Sequence, residues 1–556
     1  MTGGLFSRAF LVAALVVLLG WPTLATVLEA AGGEGVEPPG GGLIAPISED
    51  AVPRPLRLAW RTIQLVALTE TLALPVGVAL AFVLFRTDAP GRRVWLAAMA
   101  LLALVPMPLH ATAWLGGFGN LGRTQAIGGG PILVGLVGAA VVHAIAAIPW
   151  IVFIVGVGLI AVEPELEDAA RLDLPAWRVA LAVTLRRSVG AIAGAALAVA
   201  VLTAGDMTVT DLLSVRTYAE EAYLQFQIGQ GPASAASVAL PPLVVLGVLL
   251  VLAGRRLLRS DPARLVSGSL HARPWRLGVW RIPMAIALVL VVGTLVGLPV
   301  YSLVWRAGRV GGDAALRLPP HWSASGLWRS LGEAAKAIAG PIGSQPLRSP
   351  LLSSLLWSTA AATLTVSFAW TLAWVSRRPG VWRWVAAISV ALALAAPGPV
   401  AGMALVLAYR SVPLIYNSAA IVVLADVARV WPYAFLILWP ALRSIPREYL
   451  DAAALDGCGP AGVVRRVAFP LTLGATLAAW GASFLLSMGE LPASGLVAPP
   501  GVLTLPALIW SMLHVGVESR LAAIALLNLV LFALAVGLAA AAWGGLRLWL
   551  RRKSAV

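Results

Sequence analysis

The sequence predicts an all-α, polytopic membrane protein with about twelve transmembrane helices in two parallel six-helix repeats. Three observations carry that expectation. Hydrophobic residues make up 60% of the 556-residue chain and charged residues only 12%, with a mean hydropathy of +0.89. A soluble protein of this length carries about twice that density of charge. Apolar runs close to the ~20 residues that cross a bilayer recur from one end of the chain to the other. A polar segment also occurs twice, as Glu165-Leu-Glu-Asp168-Ala169-Ala170-Arg-Leu-Asp173 and as Glu448-Tyr-Leu-Asp451-Ala452-Ala453-Ala-Leu-Asp456, at an offset of 448 − 165 = 283 residues. That offset is close to half the chain and predicts two related halves.

The spans are expected at 5–27, 60–85, 94–116, 133–160, 189–207, 238–257, 280–304, 350–376, 383–409, 418–443, 471–489 and 521–545. The first has a long apolar core and no small-x-small cleavage site ahead of a soluble domain, so it reads as a retained span rather than a signal peptide. The second and third are joined by Arg86–Arg93, and the fourth leads into the polar stretch Glu163–Arg187. The basic stretch Arg255–Arg281 joins the sixth to the seventh and marks the domain boundary, giving halves 1–265 and 266–556. Arg377–Arg383, Arg447–Arg466 and the tail Arg547–Lys553 follow the same pattern in the second half. With the N-terminus cytoplasmic, these segments and the C-terminus all lie inside and hold most of the arginines, as the positive-inside rule requires. The outer connections 28–58, 117–130 and 496–503 are rich in Gly and Pro instead. One outer loop, 305–349, carries Arg306, Arg309, Arg317, Arg329, Lys336 and Arg348, which a long loop can do because such loops cross regardless of charge. Within it, Trp322–Ile338 reads as an interfacial helix. Six spans per half leave both halves running in the same sense, a parallel repeat.

Composition also excludes functions. A net charge of +15 suggests nucleic acid in a soluble protein, but here the arginines flank spans and set orientation, so no nucleic-acid partner is expected. The one cysteine, Cys458, rules out an internal disulfide and a cysteine-based metal cage. Histidines 110, 143, 271, 321 and 514 lack ligand spacing, and no metal site is expected. Neither lysine, Lys336 or Lys553, stands in a Gly-x-x-x-x-Gly-Lys-Ser/Thr loop, so the chain has no P-loop of its own.

The second polar segment runs on as Asp451-Ala-Ala-Ala-Leu-Asp-Gly457 and, after nine intervening residues, Val467-Ala-Phe469-Pro470. It resembles the Glu-Ala-Ala-x-x-x-Gly loop, ending in Ile-x-Leu-Pro, of the membrane subunits of binding-protein-dependent ABC importers, with Asp for Glu, Val for Ile and Phe for Leu. The resemblance implies a short coupling helix that docks on a separate ATPase subunit. The small alanines suit close approach, the acid suits a helix start, and the glycine suits a helix end. The first copy keeps Asp168-Ala169-Ala170 and then departs. Leu174 replaces the glycine, Pro175 follows, and Thr184, Arg186 and Arg187 stand where Ile, Leu and Pro are expected. A proline can still end a helix there.

A second echo pairs Thr203-Ala-Gly205-Asp206 with Ser487-Met-Gly489-Glu490. Both halves fused in one chain, with a Gly-Glu-Leu-Pro-Ala segment, look most like the iron(III) and thiamine permease branch; importers of phosphonates, polyamines, sulfate or molybdate stay open. The resemblance implies an inner-membrane permease that catalyses nothing and binds no cofactor, two partner ATPases that carry the ATP, and a solute-binding protein outside. Two other classes compete. A secondary transporter would need several embedded carboxylates for ion coupling, and a membrane enzyme would need acids or histidines clustered on one loop.

Ionisable groups within spans cost several kcal/mol unless paired or wetted. Glu70, near the middle of the second span, is either a hydrogen-bond anchor of the bundle or a pathway residue. Asp206 and Glu490 either line the translocation path or hold a loop through backbone N–H groups. His143 reads as a packed histidine rather than a ligand, and Asp426, at the equivalent place, as half of an ion pair with Arg429 three residues on.

Overall fold

The computed structural model describes residues 11–32, 54–227 (save 104, 121 and 127), 247, 274–311, 321–340, 349–513 and 519–554. The expected span 238–257 and most of the basic linker lie outside the described residues. The other expected spans each fall on a helix or a bent helix pair. In chain order these and the short helices beside them are α1 (Leu11–Thr26), α2 (Arg54–Arg86), α3 (Arg92–Ala103), α4 (Met107–Phe118), α5 (Gly135–Ile160), α6 (Pro164–Ala170), α7 (Val189–Ala204), α8 (Thr208–Leu212) and α9 (Tyr218–Gln227). The second half contributes α10 (Gly278–Ala307), α11 (Ala324–Ala339), α12 (Pro350–Ser376), α13 (Val381–Ala395), α14 (Gly398–Tyr409), α15 (Ala420–Arg443), α16 (Arg447–Leu455), α17 (Leu473–Gly489), α18 (Ser494–Val497) and α19 (Ser519–Ser554). Helices satisfy every backbone group within the segment, which is what a lipid-spanning stretch requires. Pro149 in α5 and Pro432 in α15 stand inside helices at equivalent places.

Two expected spans are not straight. The third breaks by 101° between α3 and α4, and the ninth by 107° between α13 and α14. Both breaks fall at a Pro-x-Pro, Pro106-Met-Pro108 and Pro397-Gly-Pro399. Pro106 and Pro397 hold nearly the same extended conformation, φ −64°, ψ 152° and φ −57°, ψ 152°. Proline disfavours helical backbone in the residue ahead of it, so the first helix must stop, and the second proline fits the first turn of the next. The fifth and eleventh spans are each preceded by a short helix, at 64° and 74°. Each of those short helices contains a π-helical turn, Ala180–Leu185 and Val464–Ala468.

In the first half α2, α5 and α7 pack on one another, and in the second α12, α15 and α17 do the same. Each trio has its own apolar core. Leu84, Ile151, Val155 and Val199 meet in one; Phe368, Leu372, Trp431 and Leu438 meet in the other. The first span of each half lies on the opposite half. α1 packs on α14, where Trp21 Nε1 donates to the Ala408 carbonyl at 2.8 Å and Tyr409 Oη donates to the Val17 carbonyl at 2.9 Å. α10 packs on α4, with Ser302 close against Gly117.

The expected interfacial helix is α11. A two-residue hairpin, Arg309–Val310 with His321–Trp322, leads into it, and Ser323 caps it by accepting from the Gly326 N–H. Ser330, Ala334 and Ile338, one turn apart, form its buried face against α19.

Candidate coupling segments and central cavity

The repeated polar segments form α6 and α16. Glu165 and Glu448 stand in their first turns, where a negative charge favours the helix N-terminus. Asp168, Ala169 and Asp173 are exposed in the first copy, with Ala170 half-buried; Asp451, Ala452 and Asp456 are exposed in the second, with Ala453 buried. Beyond the pattern read from sequence, each segment presents a nearly fully exposed leucine at the same place, Leu172 at 86% and Leu455 at 89%. Six residues earlier stand the exposed Leu166 and Tyr449. The two repeats thus share a matched pair of exposed apolar side chains as well as the acidic helix start.

The two segments end differently. Gly457 takes φ +80°; its N–H donates to the Ala454 carbonyl at 3.1 Å and that of Cys458 to the Ala453 carbonyl at 3.0 Å. This is a Schellman end, which favours glycine because its left-handed backbone strains most residues that carry a Cβ. In the first copy Leu174 donates to the Ala170 carbonyl at 2.9 Å with no left-handed residue, and Pro175 starts the next helix. The replacement of glycine by Leu174 therefore costs no strain. Pro470 is exposed at the start of the turn Phe469–Leu471 that leads into α17.

Between the halves lies a cavity of about 190 Å³. Its walls come from both trios: His143 and Trp150 of α5, Arg429 and Tyr433 of α15, Leu202 of α7, Leu485 of α17, and the turns carrying Asp206 and Glu490. His143 Nε2 is 3.6 Å from Asp206 Oδ2, which brings two of the singled-out groups together. Asp206 and Glu490 line the cavity and also cap short helices. Asp206 Oδ2 accepts from the Val209 N–H at 3.0 Å at the start of α8, and Glu490 accepts from the Ala493 and Ser494 N–H groups at 2.9 and 2.7 Å at the start of α18. Thr210 and Ser494 hydroxyls bond back to the Asp206 and Glu490 carbonyls, so the two turns are built alike.

Glu70 is not among the cavity residues; its carboxyl is buried on α2 beside the Ala200 backbone of α7. The ion pair expected between Asp426 and Arg429 does not form. Arg429 turns to the broken ninth span and donates to the Ala396 carbonyl at 2.6 Å, an acceptor freed by the Pro397 break, while Asp426 is buried with Oδ1 unpartnered. Sequence spacing saw the local partner and not the distant carbonyl.

The cavity closes on one side where the halves touch. A Cβ on Gly489 would lie 2.6 Å from Pro106, and Gly205 faces Pro397 in the pseudo-equivalent position. From that level the lining runs past Leu202 and Leu485 to Trp150, toward the arginine-rich end. Among the described residues no group of acids, histidines and cysteine could hold a metal. Just beyond the spans, Glu163 is held below the usual carboxylate range by its own backbone N–H and by Arg187, whose guanidinium is 3.2 Å away.

Two equivalently packed bundles around a central cavity, with paired polar segments at one end, define an all-α, multi-pass membrane protein. Residues 364–543 match the family described as binding-protein-dependent transport system inner membrane component. The spermidine/putrescine permease protein PotC of Escherichia coli (strain K12) is 33% identical over 100 residues, 18% of this chain and 38% of its own. The putrescine permease protein PotI of the same strain is 31% identical over 106 residues, 19% and 38%. PhnV of Salmonella typhimurium (strain LT2), named for 2-aminoethylphosphonate transport, is 29% identical over 179 residues, 30% and 66%. This chain therefore spans about two fifths to two thirds of those relatives' lengths.

Proposed function

We propose that the chain is the inner-membrane permease subunit of an ATP-driven ABC importer, with both membrane halves in one polypeptide. The observation that carries this reading is the pair α6 and α16, at the same end of equivalent bundles, each offering an acid-led helix and an exposed leucine. Two copies of one ATPase, holding the ATP, would each take one segment, with Glu165, Asp168, Ala169, Ala170 and Asp173 facing one and Glu448, Asp451, Ala452, Asp456 and Gly457 the other, Ala453 packing beneath the second. A solute-binding protein would deliver cargo at the opposite face. Drawing the segments together would part the Gly–Pro contacts and open the cavity outward, a rigid-body switch between two packed arrangements.

The solute is a separate question. The resemblance points to iron(III) or thiamine, whereas the named relatives carry solutes with a primary ammonium group. Asp206 and Glu490 against the single guanidinium of Arg429 give the cavity an acidic balance, which favours cationic solutes of either kind, organic amines above all, with Trp150 and Tyr433 as aromatic walls.

The test is affinity purification of the full chain from its native host, followed by ATPase and uptake assays on what comes with it. A P-loop ATPase should copurify and be lost in Leu455→Asp and Ala452→Glu. Recovery of the chain alone, with flux driven by an ion gradient, would favour a secondary transporter instead.

A further inference from the structure

The two repeated helices sit on seats of opposite chemistry. Position 450 in α16 is Leu450, which packs into the apolar core of the second trio. The equivalent position in α6 (450 − 283 = 167) is Glu167, buried among three partners. It is ion-paired with Arg86, itself fully buried at the end of α2. Its Oε1 accepts from Thr184 Oγ1 at 2.6 Å, and its Oε2 accepts from Trp275 Nε1 at 3.4 Å. Arg86 also donates to the Leu159 carbonyl at the end of α5, at 3.2 Å.

Trp275 belongs to the segment that opens the second half, just ahead of α10. Its backbone is stitched to the end of α2: Trp275 N–H to the Arg86 carbonyl at 2.7 Å, Asp88 N–H to the Trp275 carbonyl at 3.1 Å, and Leu277 N–H to Asp88 Oδ1 at 2.8 Å. The Arg171 guanidinium, from the end of α6, lies 4.6 Å over the Trp275 ring. Thus α6, the ends of α2 and α5, and the entry to α10 converge on one carboxylate.

We propose that Glu167 is a positioning residue that ties α6 to the entry of the second half, so that a displacement of α6 is carried directly into α10. A buried ion pair whose carboxylate oxygens each accept from a further donor is geometrically demanding and favours one arrangement. The apolar seat of α16 has no such directionality. The two coupling segments would therefore transmit differently: the first across the halves, the second within its own. That consequence rests on the coupling reading above; the tie itself does not.

Hydrogen exchange by mass spectrometry, on the purified full chain in lipid nanodiscs, tests the tie with no ATPase or solute present, so its failure leaves the transport reading untouched. In Glu167→Gln, exchange should rise roughly tenfold in both 164–170 and 274–280, the scale of one lost charge-assisted contact, with 447–455 unchanged. Wild-type protection at 274–280 would overturn the proposal, because the backbone bridge alone would then hold that segment. If the single variant fails to fold, the pair Arg86→Met with Glu167→Leu leaves no orphaned charge and imitates the seat of Leu450. It should keep α6 protected and free 274–280; protection retained at 274–280 would equally overturn the tie.

Discussion

Gly457 shows how much one residue decides. Its left-handed backbone closes α16, and no neighbouring atom would meet an added Cβ, so only backbone strain opposes substitution. Gly457→Ala should cost about 1–2 kcal/mol of local stability, and Gly457→Asn less, since asparagine tolerates this conformation. Exchange of the Ala453–Gly457 amides is the readout; equal rates in the two variants would mean that the end is held from elsewhere. The Asp-Ala-Ala pattern and Gly457 were legible in the sequence because the chemistry lies within one turn. The seat of Glu167 was not: its partners Arg86 and Trp275 are 81 and 108 residues away. A carboxylate where the sister repeat has leucine was the one available signal. Asp206 and Glu490 were legible as a pair, and the backbone capping weighed for them is present in both turns, which also border the cavity.

At the scale of elements, hydropathy located the spans well and misjudged their shape. A window of apolar residues cannot distinguish a straight crossing from two helices at a right angle, but the matched Pro-x-Pro in spans three and nine could have. Helix α9 offers a pH test. Burial pushes Glu220 up to about 7, and Glu221 and Asp211 push the same way, while Arg216 and Arg54 oppose them. Its folded affinity for a proton exceeds that of the open chain, so α9 packing is strongest below about pH 4.5 and weakens as pH rises toward 7. Exchange of 218–227, corrected for intrinsic rate, should therefore climb across that window in the wild type and stay flat in Glu220→Gln. A slope surviving in Glu220→Gln would assign the titration to another group.

For the whole molecule, the contact of Gly489 with Pro106 makes the closed side of the cavity sensitive to a single methyl group. Gly489→Ala would place a Cβ 2.6 Å from a proline ring, which cannot swing away as a flexible side chain would. The halves should part there. In a Cys458→Ser background, a cysteine at Thr203 should react faster with a membrane-impermeant thiol reagent added outside. An unchanged rate would mean that α17 yields instead, with the closure intact. Gly205 faces Pro397 at 3.8 Å, so Gly205→Ala should open the closure less.

The crossing-over of the first spans bears on how this protein is made. Because α1 is seated on α14 and α10 on α4, neither trio acquires its full set of neighbours until the other exists. During synthesis α1 enters the bilayer long before its resting place has been translated, and it must wait there, shielded by lipid or by the insertion machinery. A ribosome that stopped after the first half would release a bundle with an empty flank on α4 and a stray helix. Continuity of the two halves in one polypeptide secures equal supply of both and keeps α1 within reach of its berth, so assembly is a matter of waiting rather than searching.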